Sequence, residues 1–272
     1  MKLSEIYRWY EQLEIVTSKK QSLNTLRIIR KYLERLGDPN IKKLTIQTVS
    51  KDRLNRVKSC KPTTSNAEVS HLRAMLAEAL LNGLIKSNPI RDIKLLPCNN
   101  VRDVSLRPAD VTRLVSHAPE WLGKLITIAA HMPMRRSEII LLEWRDVDFD
   151  IGDNGVLRIR PEIAKNKKAR SIPLHPQVRK LLSRLPSRFI AGFVFPHQSL
   201  IRKSFDYQFR LARKAAGLDC TYHDIRHLCI SEMFRAGIPQ ATIMRLSGHN
   251  SDSMFQRYFY QHEDELVNLK WG

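Results

Sequence analysis

The chain has 272 residues, 43% hydrophobic and 27% charged, a composition that excludes intrinsic disorder and is long enough for two ordinary domains. Lysine and arginine number 46 against 27 acidic residues, a net charge of +19. This excess runs through both halves of the chain rather than a tail, so two folded units each face something polyanionic, nucleic acid first. Cys60, Cys98, Cys220 and Cys229 are scattered, with no C-x-x-C spacing, and read as reduced core residues. No apolar run reaches the roughly 18 residues needed to cross a bilayer and the N-terminus lacks a signal core, so a soluble, cytoplasmic protein is expected.

In chain order, helical periodicity dominates the first hundred residues. Helices are expected near 4–16 and 45–58. Between them SLNTLRIIRKYLERLG carries Leu23, Leu26, Ile29, Leu33 and Leu36 on one stripe, with Ser22 as N-cap and a stop at Gly37. SNAEVSHLRAMLAEALLNGLI repeats the pattern through Val69, Leu72, Leu76 and Leu80. The expectation is a small helical bundle over 1–96, with Arg27, Arg30, Lys31 and Arg73 on its basic face. Residues 97–107 lie in a stretch punctuated by Pro89, Pro97 and Pro108, which reads as a linker. The second domain spans 108–272. Helices are expected at 108–117, 121–131 and 136–143. VLRIR and RSIPL then read as strands flanking the lysine-rich AKNKKA. Further helices are expected at 176–185, 199–216, 222–236, 239–246 and 252–260.

Four clusters carry nitrogen or phenol chemistry. HDIRH places His223, Arg226 and His227 on one side of a helix. Two histidines at that spacing suit zinc, but Asp224 stands where a zincin has glutamate, and the fixed charge of Arg226 lies on the face a cation would occupy. No metal is expected there. In MPMRRSEIILLEW, Glu138 follows Arg135 by one helical turn, where it can fix the guanidinium plane and leave donors for an oxyanion. AKNKKARSIPL reads as a lysine-bearing hairpin. LSGHNSDSMFQRYFYQH holds His249 at a turn, then Tyr258 and Tyr260; a tyrosine beside arginines can act as a nucleophile on phosphorus.

Taken in order, these clusters resemble the tyrosine recombinase family, phage integrases in particular, over essentially the whole chain. That family has an arginine in T-G-[LM]-R-x-[SG]-E, a hairpin lysine in T-K-x-x-K-x-R-x-[VI]-P-L, then H-x-x-R-H, L-G-H, and a tyrosine nine residues on. The matching residues are Arg135, Lys165, His223, Arg226, His249 and Tyr258, with Glu138 as the acidic partner of the first arginine. The resemblance implies a mainly α fold with a small β-sheet: a helical core-binding domain followed by a mixed catalytic domain, clamping DNA from opposite sides. It also implies strand exchange through a 3′-phosphotyrosine. No cofactor is implied. The partners implied are duplex DNA with specific recombination sites, a homo-tetramer on synapsed DNA, and accessory DNA-bending or directionality proteins. The match starts at the core-binding helices, without the arm-binding domain of larger integrases. Among the departures from the pattern, Pro133 replaces a glycine, Ser247 an apolar residue and Phe255 a threonine. A type IB topoisomerase-like relaxase and an inactive DNA-binding regulator remain the rival readings.

Overall fold

The computed structural model describes residues 1–17, 22–98, 106–190 and 192–249. Within it the chain divides into two compact units, Met1–Val101 and Arg102–Gly272. Both are mainly helical, and the second contains a small sheet.

The first unit is built from α1 (Leu3–Tyr10), α2 (Glu14–Thr17), α3 (Ser22–Leu36), α4 (Ile46–Arg56) and α5 (Pro62–Leu81). Local chemistry sets the ends. Pro62 opens α5, where a missing N–H costs nothing, and the Thr45 hydroxyl accepts the Thr48 N–H at the start of α4. Past α3 the chain turns through Gly37 and Asp38, both at positive φ, and the Asp38 carboxylate takes the N–H and hydroxyl of Ser4 at 2.7 Å each. Leu3 and Ile6, Ile29, Tyr32 and Leu33, and Leu72, Met75 and Leu76 meet in one buried core. The α3 stripe is shorter than its periodicity predicts: Leu23 is 83% exposed, one turn before the packing begins. Leu80 likewise lies at the surface, and Ala79 takes the buried place.

Past α5 the chain stays on this unit through residue 96. Ile90 and Ile93 enter the core. The buried Arg53 donates to the Lys94 carbonyl (2.7 Å) and to Asn66 Oδ1 (3.0 Å), and Asn66 in turn bonds both the N–H and the carbonyl of Leu96. Glu68 takes Arg35 and Arg56 together. Arg27, Arg30 and Lys31 stand exposed on α3, and Arg73 is half-buried on α5.

In the second unit α6 (Pro108–Ser116), α7 (Glu120–His131) and the short α8 (Arg136–Ile140) precede the sheet. Strands β1 (Val147–Asp148), β2 (Val156–Ile159) and β3 (Arg170–Pro173) form an antiparallel sheet in the order β1-β2-β3, with Val156 opposite Pro173 and Ile159 opposite Arg170. The two-residue β1 has no periodicity to betray it. Four helices follow: α9 (Pro176–Ser183), α10 (Gln198–Ala215), α11 (Tyr222–Arg235) and α12 (Gln240–Ser247). Helix α8 is shorter than expected because Leu142 turns away to bond Val194 through its carbonyl. The core runs from Leu114 of α6 through Leu125 and Ile128 of α7 and Leu157 of β2 to Phe205 and Ile225. Tyr222 is buried against Phe205 and Phe209, with its hydroxyl donating to the Leu125 carbonyl at 2.7 Å. That bond ties the start of α11 to α7. The helix expected at 252–260 lies outside the described residues.

Candidate active site

Helix α7 ends ahead of Pro133, and two residues later Arg135 serves as N-cap of α8. Glu138, in the first turn, folds back. Its Oε2 accepts the Arg135 backbone N–H at 2.8 Å and its Oε1 the Arg135 Nη1 at 3.1 Å. The expected pairing is therefore present, with an addition. Glu138 is wholly buried and also receives both terminal nitrogens of Arg170, Nη1 at 3.1 Å and Nη2 at 2.6 Å. Burial pushes the Glu138 carboxyl up, but Arg170 and then Arg135 more than reverse this and hold it below the usual carboxylate range.

The turn after α12 gathers the rest. Gly248 ends that helix at φ +70°, with its N–H on the Met244 carbonyl. The three preceding and included carbonyls then each take one arginine: Leu246 from Arg170 Nε at 2.8 Å, Ser247 from Arg226 Nη2 at 2.7 Å, and Gly248 from Arg135 Nη2 at 3.1 Å. Arg226 also donates through Nη1 to the Pro133 carbonyl at 2.7 Å. Arg135 and Arg226 thus converge on adjacent peptide units although ninety residues separate them in sequence. Arg226 is 1% exposed, deeper than an open helix face would put it.

His249 lies at the same turn, its Nδ1 2.7 Å from the Ser247 hydroxyl. Burial pushes its imidazole down to about 3, helped by Arg226, Arg135 and the neighbouring His223 and His227. His223 keeps a surface-accessible ring, edge-on to His227 at 4.6 Å. It too is lowered, first by partial burial and then by Arg226, with smaller contributions from Arg135 and Lys165. Lys165 is exposed in the connection between β2 and β3. Two clefts open here, one of about 490 Å³ lined by His223, Arg226 and Arg136, the other of about 720 Å³ lined by Arg170, Gly248 and His249.

Asp224, the acid in HDIRH, faces the start of its own helix and accepts the Thr221 N–H at 2.6 Å. It caps α11. Among the described residues no group of three or more His, Cys, Asp or Glu side chains is placed to hold a metal ion. Tyr258, Tyr260 and Phe255 lie outside the described residues.

Two members of this arrangement, Arg170 and Ser247, carry no role in the sequence reading. Arg170 sits in the R-x-[VI]-P-L stretch that marks the hairpin, and only its distance partners reveal what it holds. Ser247 stands out in sequence as a departure from an apolar position; its bond to His249 gives that departure a purpose.

A buried carboxylate pins one arginine, a second arginine is anchored on the same turn, and two histidines with lowered pKa stand beside them, on a helical fold with a small sheet. Residues 105–265 match the model of the phage integrase family, and residues 1–97 match that of the phage integrase N-terminal domain. The chain belongs to the phage integrase family. It is 32% identical over 143 residues to the shufflon-specific DNA recombinase of Escherichia coli, covering 52% of this chain and 35% of that protein. It is 28% identical over 162 residues to the integrase of Salmonella phage P22, covering 54% of this chain and 41% of that one. These matches span well under half the length of either relative. The fold is similar to that of a lambda integrase tetramer bound to a Holliday junction, with TM-score 0.79 and 20% identity over 100% of this chain and 79% of that one.

Proposed function

We propose that the chain is a site-specific DNA recombinase that breaks and rejoins strands through a covalent 3′-phosphotyrosine. The observation supporting it most is that Arg135 and Arg226 are anchored on the adjacent carbonyls of Gly248 and Ser247. Two cations held on one turn can take the non-bridging oxygens of one phosphodiester and neutralise the charge that builds as phosphorus becomes five-coordinate. Tyr258 supplies the phenol oxygen that attacks; the bond to the 5′ oxygen breaks, and Lys165 gives that oxygen its proton. His249 and His223, neutral when DNA is absent, take and return the phenolic proton and hydrogen-bond the phosphate. The bond energy stays in the phosphotyrosine, so a partner strand's 5′-hydroxyl displaces the tyrosine without an external energy source. No cofactor enters this route. Met1–Val101 acts as the core-binding unit, with Arg27, Arg30, Lys31 and Arg73 toward the DNA backbone. Arg102–Gly272 acts as the catalytic one. The working form is a homo-tetramer on two synapsed duplexes, assisted by accessory DNA-bending or directionality proteins.

The test is recovery of DNA covalently bound to the purified protein, followed by cleavage of a nicked suicide duplex built on the recovered sequence. Tyr258→Phe is expected to bind that duplex and form no adduct, and Arg135→Ala to slow adduct formation by about 10²- to 10³-fold. An adduct formed by Tyr258→Phe sinks the assignment and makes Tyr260 the next candidate.

A further inference from the structure

A carboxylate without water needs its charge matched and its lone pairs filled. Arg135 gives Glu138 one side-chain and one backbone bond; Arg170 gives two more, from a strand that follows α8 by some thirty residues. The third nitrogen of Arg170 holds the Leu246 carbonyl. Its guanidinium also lies flat against Gly248, where an added Cβ would stand 3.3 Å from Cζ and Nη1. Arg170 therefore grips both groups that orient Arg135, namely the Glu138 carboxylate and the turn whose Gly248 carbonyl takes Arg135 Nη2. With its side chain only 8% exposed and all three nitrogens engaged, it is placed to act through its neighbours.

We propose that Arg170 is a positioning residue for strand cleavage: it locks Glu138 and the 246–248 turn together, and so sets the guanidinium of Arg135 toward the phosphate. This rests on the reading of Arg135 as a phosphate-gripping residue. A merely structural ion pair would alter stability alone, whereas a positioning residue alters the cleavage step with DNA affinity intact.

The full chain carries the test, as Arg170→Gln, Arg170→Lys, Glu138→Gln, the Arg170→Gln/Glu138→Gln pair, and Arg135→Ala for reference. The probe is the nicked suicide duplex built on DNA recovered from the wild-type protein. At saturating duplex, Arg170→Gln is expected to form the adduct about a hundredfold more slowly, with unchanged Kd. Arg170→Lys recovers part of the rate, since an ammonium restores the charge but cannot span two carboxylate oxygens and a carbonyl. The double variant is expected to be no slower than Glu138→Gln, because both changes break the same link. Arginine-selective ¹⁵N spectra of the DNA-free protein give a readout that needs no cleavage: the Arg135 Nη protons, held in the wild type, rotate freely in Arg170→Gln. Should Arg170→Gln lose its melting transition, Arg170→Lys carries the same comparisons. Wild-type cleavage by Arg170→Gln with unmoved Arg135 signals overturns the proposal, as does a defect that tracks lost DNA affinity and adds to that of Glu138→Gln. Normal cleavage by Arg135→Ala overturns instead the reading beneath it, and the spectra still decide whether Arg170 holds Arg135.

Discussion

At the scale of single residues the turn at 246–249 concentrates the constraints. Gly248 is needed twice, for its left-handed φ and for the arginine stacked where a Cβ would stand. Gly237, at φ +76° with nothing within 4 Å, separates the two. Gly237→Ala is expected to cost about 1–2 kcal/mol of stability from backbone strain alone. Gly248→Ala is expected to cost more and also to slow cleavage; chemical denaturation of both variants checks the difference. The histidines set a pH dependence at the same place. His223 and His249 are held below 6.5, so between about pH 6.5 and their folded values the unfolded chain binds more protons than the native one. Stability contributed by their neutral forms is therefore present above pH 6.5 and lost as the pH falls. The melting temperature of the DNA-free protein is expected to drop on titration from pH 7 to 5, with a shallower slope in His249→Gln. Arg135, Glu138, Arg226 and His249 are singled out in the sequence by their resemblance to a family pattern, and the structure brings these four side chains to one turn. Arg170 is not singled out, because its partners come from distant segments.

At the scale of elements, α11 shows how a local rule and a tertiary demand coexist. Asp224 caps it through the Thr221 N–H, which a sequence can display as an acid in the first turn, while the opposite end of the same motif sends Arg226 into the interior. Asp224→Ala is expected to remove about 0.5–2 kcal/mol, read as a lower melting temperature without loss of Arg226's anchoring bonds. The β2–β3 hairpin was visible in VLRIR and RSIPL by alternation. The stripe on α3 overreached at Leu23, because periodicity says which face is apolar but not where the neighbouring helix stops covering it.

For the whole molecule the net charge of +19 sets how it meets a polyanion. Binding of the recovered duplex is expected to weaken linearly in log Kd against log salt, and replacing Arg27 or Lys31 by alanine should lower that slope by about one each. A slope unchanged by both would count against the α3 face as a phosphate-contacting surface. Other arginines serve the fold: the partly exposed Arg35 and Arg56 are drawn onto Glu68, and the buried Arg53 onto the Lys94 carbonyl. These arginines hold the fold together, and composition alone could not separate them from the exposed ones.

What the sequence determined by itself was whatever depends on near neighbours: helix starts and stops, the hairpin, the order of the basic clusters and the excess of positive charge. These follow from backbone sterics, periodicity and the offsets within one turn. Only the tertiary structure decided which arginines meet. Arg135, Arg170 and Arg226 take successive carbonyls of one turn, and a charge finds its partner through space, where distance along the chain carries no weight.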